Sequence, residues 1–137
     1  MTERYLFDAW AMMAYFQNEE PAAEQVSQWL EAALRKKVDA YISIINIGEV
    51  YYRVGKVLGA QQAEDILNDL VSLPVQVIPV ENELVLSAAR WKMRHAISYA
   101  DAFAAATAEK LNAVLVSGDP ELIALKDKLK LAALERG

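Results

Sequence analysis

The sequence predicts a three-layer α/β/α sandwich with a central, mainly parallel β-sheet. Short apolar runs rich in β-branched residues alternate along the chain with segments whose apolar residues recur at helical spacing. Strands and helices that alternate in this way favour parallel pairing, because the connecting helices then cover both faces of the sheet. With 137 residues the chain is long enough for one hydrophobic core, and we expect a single domain over residues 1–137.

Five segments have the apolar composition of strands. The first, YLF, precedes Asp8, and the second, AYISII, precedes Asn46. The third is brief and lies between two prolines, which cannot donate to a β-ladder, so we place it near an edge of the sheet. The fourth, AVLV, has the pattern of a buried parallel strand. The predicted strands are residues 5–7, 40–45, 75–78, 113–116 and 129–134.

The segments between these strands have helical periodicity. The second helix opens with Pro21, which suits the first turn of a helix, and its apolar residues form one stripe. Gly55 and Gly59 bracket a predicted break between two further helices, and an Ala-rich helix leads directly into the fourth strand. The predicted helices are residues 9–16, 21–34, 47–54, 60–73, 81–95, 97–111 and 120–125.

The composition excludes several classes of site. No cysteine is present, which rules out disulfides, thiolate metal sites and a cysteine nucleophile. The start of the chain lacks the features of a signal peptide, and we expect a cytoplasmic protein without membrane contact. The formal net charge of -5 argues against general electrostatic capture of nucleic acid. Carboxylates gathered around divalent cations also make a chain acidic, so net charge alone decides little.

Four acids lie where strands end or helices begin. Asp8 follows the first predicted strand, Glu49 lies in the first turn of the helix after the second, and Asp119 follows the fourth. Strand ends and the helix starts after them share one edge of a parallel sheet, so we expect these three carboxylates to converge there. Asp101 opens the long helix before the fourth strand, and the residue pattern leaves open which edge that helix starts from.

Each acid also has a structural interpretation. Acids are favoured at helix starts, where they accept hydrogen bonds from free backbone N–H groups. The spacing Asn46-x-x-Glu49 fits the capping-box pattern, and Asp119 fits an ordinary helix cap. Asp8 is harder to explain as structural, because it interrupts an apolar run and would cost several kcal/mol if it were buried without a partner.

Converging carboxylates would offer the ligands that a hard cation prefers. Mg²⁺ and Mn²⁺ bind oxygen ligands, whereas Zn²⁺ sites draw on His and Cys, of which this chain has one and none. Such an ion binds substrate phosphate oxygens and lowers the pKa of an attacking water. The acids therefore predict a Mg²⁺ or Mn²⁺ site for phosphodiester hydrolysis.

The order and surroundings of these acids resemble the PIN-domain ribonucleases, and among them the VapC toxins of type II toxin–antitoxin pairs. The resemblance covers nearly the whole chain and rests on YLFDAW, ISIINIGEVYYR and ISYADAFAAATAEKLNAVLVSGDPEL. It implies a PIN-like fold in which Asp8, Glu49, Asp101 and Asp119 meet and hold the metal ion. It also implies cleavage of RNA, homodimerisation and inhibition by a small antitoxin.

Three positions bear on how fully the chain follows this family. Ala9 stands where the family usually has Ser or Thr directly after the first acid. Ser117 keeps the small hydroxyl residue before the last acid. Glu121 is open to two interpretations, as a further acid near the metal or as a partner of the helix dipole.

Two other functions remain as alternatives. A PIN-like module that binds a partner without catalysis is favoured slightly by the missing hydroxyl at Ala9. A phosphoacceptor domain of the response-regulator type would need an aspartate at the end of the third strand, where the chain has Pro79 and Val80. His95 could act in catalysis and the tryptophans could stack bases, but their helical positions favour structural roles.

Overall fold

The computed structural model describes residues 2–137 and places a five-stranded sheet between two layers of helices. The strands are β1 (Glu3–Phe7), β2 (Val38–Ser43), β3 (Gln76–Ile78), β4 (Val114–Ser117) and β5 (Leu131–Ala133). The helices are α1 (Ala9–Phe16), α2 (Ala22–Leu34), α3 (Ile44–Leu58), α4 (Ala60–Val71), α5 (Asn82–Arg94), α6 (Tyr99–Leu111) and α7 (Pro120–Ile123). The predicted three-layer α/β/α class is confirmed.

The strands pair in parallel in the order β3-β2-β1-β4-β5. The chain builds outward from β1 to β3 and then returns to add β4 and β5 on the other side of β1. β1 and β4 therefore flank the topological switch point, where open parallel sheets form a crevice at their carboxyl ends. Phe7 pairs with Ile42 of β2 and Val116 of β4, so three strand ends lie level at this edge. The third strand lies at the sheet edge, as predicted.

A hydrophobic core lies on each face of the sheet. Leu6 and Phe7 are both fully buried and point to opposite faces, because side chains alternate along a strand. Phe7 packs in the core formed with α1 to α4, which includes Met12 and Val26. Leu6 packs in the core formed with α5 and α6, which includes Phe103. The two cores fix the helices on either side of the central strand.

The Ala-rich helix α6 begins at the carboxyl edge of the sheet. It ends at Asn112, whose left-handed backbone (φ 52°) lets the Ala113 N–H donate to the Ala108 carbonyl at 2.9 Å. The chain then enters β4 at once, so the helix must run antiparallel to that strand. The start of α6, with Asp101 in its first turn, therefore lies near the end of β4. This answers the question that the residue pattern left open.

Helix α3 starts earlier than the sequence predicts. Ser43 is both the last residue of β2 and the cap of α3, and its Oγ accepts a hydrogen bond from the Ile45 N–H at 3.2 Å. The prediction that Asn46 caps this helix and that Glu49 lies in its first turn is therefore wrong. Ile42 and Ser43 end the strand, and Ile44 and Ile45 begin the helix. Nothing in the run ISII marks the boundary between them.

The predicted break between the third and fourth helices is a sharp corner at one residue. Helix α3 continues through Gly55 to Leu58, and Gly59 alone turns the chain with a positive φ of 96°. The other predicted boundaries agree with the structure to within two residues at each end. No helix described in residues 2–137 is long and apolar enough to cross a bilayer.

Candidate functional site

Asp8 is the first residue after β1 and caps helix α1. Its Oδ1 accepts a hydrogen bond from the Ala11 backbone N–H at 2.8 Å, and its Oδ2 accepts one from the Ser117 hydroxyl. The residue is only 2% exposed. Asp8 is therefore a buried acid with a partner on each oxygen, which lowers the cost that an unpaired acid would carry.

Ser117 connects the ends of β1 and β4 across the switch point. Its buried hydroxyl donates to Asp8 and accepts a hydrogen bond from the Asp119 backbone N–H at 3.0 Å. Asp119 in turn caps α7, because its Oδ1 accepts a hydrogen bond from the Glu121 N–H at 2.9 Å. This chain of hydrogen bonds fixes the first and last acids relative to each other.

Three carboxylates gather beside this chain of hydrogen bonds. Asp101, Asp119 and Glu121 each have a carboxylate oxygen within 4.8 Å of the others. Asp101 is 7% exposed, and its backbone N–H donates to the Ser98 hydroxyl at 3.0 Å. Glu121 is exposed and completes the group from the solvent side. Its position fits both interpretations, because it lies near the other acids and also in the first turn of α7.

Burial and mutual repulsion raise the pKa of two of these acids. Burial is the main cause for Asp8, and the charges of Asp101 and Asp119 add to it, so its pKa rises to about 7 despite its hydrogen bonds. Burial also raises the pKa of Asp101, followed by the charge of Asp119 and, more weakly, that of Glu49. Near neutral pH this edge of the sheet therefore favours bound protons, or a cation in their place.

Glu49 of α3 is not among these three grouped carboxylates, and its link to them is its charge, which raises the pKa of Asp101. Its Oε1 lies 3.4 Å from the Asn46 Nδ2, and its Oε2 lies 3.5 Å from the Arg53 Nη1. Both contacts are long, so the carboxylate is held only lightly by its own helix. Its charge acts on Asp101, which ties α3 to the other acids. We call Asp8, Glu49, Asp101, Asp119 and Glu121 the acidic cluster.

Asn46 is a buried polar residue beside Glu49 that the sequence interpretation treated only as a helix cap. It is 1% exposed inside α3, and its Oδ1 has no hydrogen-bond partner among the residues that the structure describes. A buried polar atom without a partner costs about 1–3 kcal/mol. Such atoms usually bond to a water or an ion. The signal was a polar residue inside the apolar run ISIINI, one helical turn before Glu49.

These residues fit a divalent cation with oxygen ligands. The cluster supplies carboxylates with raised pKa values, and the orphan amide oxygen of Asn46 lies one turn from Glu49. A set of oxygen donors without sulfur or imidazole favours Mg²⁺ or Mn²⁺ over Zn²⁺. The geometry is therefore suited to the ion that the sequence predicts, although each acid except Glu49 also lies at a helix start.

The aromatic residues considered for base stacking pack against other parts of the protein. Trp29 lies against Tyr5, with ring centroids 5.5 Å apart, and Trp91 lies against His95 at 5.3 Å. Trp10 lies against the backbone at Gly118. These contacts support structural roles for the three tryptophans.

The family profile of the PIN domain matches residues 5–128, a range that contains all of the acidic cluster. The chain belongs to the PIN-domain family. No curated protein sequence matches it. Membership of the PIN-domain family leaves the phosphoacceptor alternative without support, and β3 ends at Ile78 with Pro79 and Val80 after it, as the sequence indicates.

This PIN domain is similar in fold to solved structures that cover nearly its whole length. VapBC2 from Rickettsia felis, bound to a DNA fragment from its promoter, gives a TM-score of 0.75 at 18% identity, covering 96% of this chain and 99% of that chain. A toxin–antitoxin complex from Klebsiella pneumoniae gives 0.71 at 16% identity, covering 97% and 99%. Mycobacterium tuberculosis VapC20, a toxin that cleaves the sarcin–ricin loop, gives 0.71 at 18% identity, covering 88% and 93%.

Proposed function

We propose that this PIN domain is a metal-dependent endoribonuclease that hydrolyses RNA phosphodiester bonds as the toxin of a toxin–antitoxin pair. The grouping of the Asp101, Asp119 and Glu121 carboxylates within 4.8 Å of one another carries the proposal, with Asp8 joined to it through Ser117 and Glu49 through its charge on Asp101. Acids that are buried, close together and raised in pKa need a counter-charge to ionise at neutral pH. A divalent cation supplies that charge and is the usual partner of phosphate chemistry.

The similar structures support both halves of this proposal. VapC20 is described as a toxin that cleaves the sarcin–ricin loop, and the Klebsiella structure is described as a toxin–antitoxin complex. Those descriptions belong to proteins that share this fold at less than 20% identity. RNA as the substrate and an antitoxin as the partner are therefore proposals for this chain.

The acidic cluster would hold the cation, with Asp8, Glu49, Asp101 and Asp119 as the proposed ligands. When bound, Mg²⁺ or Mn²⁺ supplies a Lewis acid for the attacked phosphate and lowers the pKa of the attacking water. Ser117 joins the two strand ends, because its hydroxyl donates to the Asp8 carboxylate and accepts from the Asp119 backbone N–H. Asp8 and Asp101 would have to lose their protons to hold the cation, because burial and the neighbouring negative charges raise their pKa values.

The alternative of a non-catalytic module rests on Ala9, which brings no hydroxyl to the site. Ala9 is buried, and Asp8 beside it receives its hydroxyl hydrogen bond from Ser117 of β4 instead. The first acid thus keeps a hydroxyl partner although the residue after it has none. This hydrogen bond positions the first acid as the proposed enzyme needs, and the cleavage assay below decides between the enzyme and the binding module.

We also propose a homodimer and a protein partner in the cytoplasm. Helices α3 and α4 expose apolar side chains, including Val57, which is 80% exposed, Leu58 and Val71. Exposed apolar groups on adjacent helices are typical of surfaces that another chain covers. Sedimentation velocity tests the dimer directly, and a monomer at micromolar concentration would contradict it.

Cleavage of RNA with and without the metal tests the proposed activity. The purified protein is incubated with total cellular RNA, including ribosomal RNA, in Mg²⁺, in Mn²⁺ or in EDTA, and new 5′ ends are mapped by sequencing. We expect discrete cleavage sites with either cation and none in EDTA. Asp8→Asn should slow cleavage at least about a hundredfold, because an amide replaces an anionic ligand.

The matched control is Asp65→Asn, which removes an exposed acid on α4 whose only recorded side-chain partner is Gln61. This variant should cut RNA at the rate of the parent. Equal cleavage by Asp8→Asn and the parent, or cleavage that persists in EDTA, would overturn the proposal. A parent that binds Mn²⁺ but never cuts RNA would favour the non-catalytic module.

A further inference from the structure

The segment after β5 returns to the edge of the sheet that carries the acidic cluster. The Leu134 N–H donates to the Ser117 carbonyl at 2.8 Å, which continues the pairing with β4, and Leu134 is buried. Two residues later, the Arg136 Nη2 lies 3.4 Å from the Gly118 carbonyl oxygen. That carbonyl belongs to the peptide bond that joins Gly118 to Asp119. The Arg136 guanidinium is therefore held beside the last acid of the cluster.

The Arg136 guanidinium lies over the ring of Trp10. The Arg136 Cζ lies 5.6 Å from the centroid of the Trp10 ring, within the range of a cation–π contact. Trp10 is two residues after Asp8, and its ring lies so close to Gly118 that a Cβ at that position would overlap it. Trp10 is thus wedged between the backbone of one acidic strand end and Arg136. It serves as a platform for the cation.

Arg136 has unused hydrogen-bonding capacity. Within residues 2–137, no carboxylate oxygen lies within 4.0 Å of its guanidinium, whereas Arg35 and Arg53 each pair with a glutamate. One long hydrogen bond to a neutral carbonyl occupies one of the five N–H donors of the side chain. A fixed cation with free donors, placed next to a cluster of acids without pairing to them, is suited to an anion from outside.

We propose that Arg136 binds a backbone phosphate of RNA adjacent to the scissile bond, and that Trp10 positions Arg136 for this contact. This inference rests on the proposed function. The planar guanidinium matches the geometry of a phosphate better than an ammonium does, because two parallel N–H groups can donate to two oxygens. The contact also offsets the repulsion that the acidic cluster exerts on the neighbouring phosphates of the RNA chain.

The test compares Arg136→Ala, Arg136→Lys and the parent, with Arg35→Ala as the control. Arg35 is an exposed arginine on the far end of α2 that pairs only with Glu31. Steady-state cleavage of a labelled RNA gives KM and kcat for each protein. Fluorescence anisotropy with a short single-stranded RNA, in an Asp8→Asn background that does not cut, gives the salt dependence of binding.

We expect Arg136→Ala to raise KM about tenfold with a smaller change in kcat, and Arg35→Ala to leave both unchanged. Loss of one phosphate contact should reduce the slope of log K against log salt by about 0.7 for single-stranded RNA. Arg136→Lys should keep the slope and recover only part of the affinity, because it keeps the charge and loses the bidentate geometry. Trp10→Leu should act like a partial Arg136→Ala.

Three results would overturn the inference, and the last of them would overturn the proposed function as well. If Arg136→Ala lowers the melting temperature but leaves KM and the salt slope at parent values, Arg136 only fastens the end segment. If the parent cuts RNA and Arg136→Ala cuts it with the same KM, the phosphate contact does not exist while the proposed function stands. If the parent neither cuts nor binds any RNA, the proposed function fails, and the role of Arg136 fails with it.

Discussion

Asp8 is subject to interactions that shift its pKa in opposite directions, and their balance determines its role in the proposed site. Hydrogen bonds from Ala11 and Ser117 favour its charged form, whereas burial and the charges of Asp101 and Asp119 favour its neutral form. Burial and the neighbouring charges outweigh the hydrogen bonds, so the pKa of Asp8 rises to about 7. A side chain in this balance binds a proton or a cation readily. The contribution of Asp8 to the free energy of unfolding therefore depends on pH and on the presence of the metal ion.

The sign of that dependence follows from the two pKa values. The pKa of Asp8 is about 7 in the folded protein and near 3.8 when unfolded, so the folded state binds more protons between those values. In EDTA, the free energy of unfolding should fall as pH rises through this window, by up to about 1.4 kcal/mol per pH unit from this group. Asp8→Asn should flatten the decline and be the more stable protein at pH 8, as urea denaturation would measure.

Saturating Mg²⁺ provides the matched condition for this prediction. The cation binds the deprotonated cluster, so it should stabilise the parent most at high pH and stabilise Asp8→Asn less. A parent whose stability in EDTA rises between pH 5 and pH 8, with the same curve for Asp8→Asn, would contradict the account of Asp8.

A substitution at Asn46 distinguishes effects on metal binding from effects on folding better than a substitution of an acid does. Its buried Oδ1 lacks a protein partner, so replacing the amide with a similarly sized apolar group removes a cost of folding. Asn46→Leu should be as stable as the parent or more stable without metal, yet bind Mn²⁺ about 10–100-fold more weakly, as removal of an outer-shell partner does. Thermal melts and calorimetry measure the two effects.

The control for Asn46 is Asn68→Ala, which removes an exposed amide from α4. It should leave the affinity for Mn²⁺ unchanged. If Asn46→Leu unfolds the protein or binds Mn²⁺ as tightly as the parent, the orphan oxygen has no role in the site.

At the scale of single residues, the sequence revealed Asp8 but concealed Asn46. Asp8 stood out because a charge in an apolar run is costly, and the structure shows it buried. Asn46 stood in a similar run, but its spacing to Glu49 also fitted a capping box. Local spacing cannot separate these meanings, since the true cap is Ser43, inside what the pattern assigned to the strand.

At the scale of elements, the junctions between strands and helices position the acids. Strand β2 passes into α3 without a loop, and β1 and β4 each reach their next helix within two residues. Short junctions leave little freedom for the side chains at the strand ends. The sequence predicted these elements well because Gly, Pro and apolar periodicity mark their bounds. It could not show from which edge of the sheet α6 starts, because that depends on how α6 packs against α5 and the sheet.

The contact between Gly118 and Trp10 gives a test at this scale. A Cβ at Gly118 would overlap the Trp10 ring, so Gly118→Ala should destabilise the protein by roughly 1–3 kcal/mol. Gly48→Ala is the matched control, because Gly48 lies in α3 with no heavy atom within 4 Å of the new methyl group. It should stabilise the protein by roughly 0.5–1 kcal/mol.

Urea denaturation of the two alanine variants checks this pair of predictions. Opposite shifts of the denaturation midpoint would show that the junction after β4 is packed against α1. Equal, small effects of Gly118→Ala and Gly48→Ala would mean that Trp10 can move aside, and the platform proposed for Arg136 would lose its rigidity.

At the scale of the whole molecule, the order of the strands creates the site. Asp8 and Asp119 are far apart in sequence and become neighbours only because β4 pairs with β1 on the side opposite β2. Alternation of strands and helices predicts a parallel sheet but not its strand order. The convergence of Asp101 with the other acids was therefore an expectation of the family resemblance, and the packing of α6 supplies its physical basis.

The net charge of -5 matters less for nucleic-acid binding than the positions of the acids do. The cluster concentrates negative charge at one edge, where a divalent cation and Arg136 would reverse the local field toward RNA. If the proposed function holds, the protein needs no generally basic surface to act on a nucleic acid. Its affinity for RNA should depend on the cation more than on overall charge.

Calorimetric titration of Mn²⁺ into the metal-free protein at pH 7.5 tests the central claim most directly. The account predicts saturable binding by the parent that Mg²⁺ competes away, at least about tenfold weaker binding by Asp119→Asn, and parent-like binding by Asp65→Asn. A parent that binds no Mn²⁺, or an Asp119→Asn variant that binds it as tightly as the parent, would contradict the claim that these acids form a metal site.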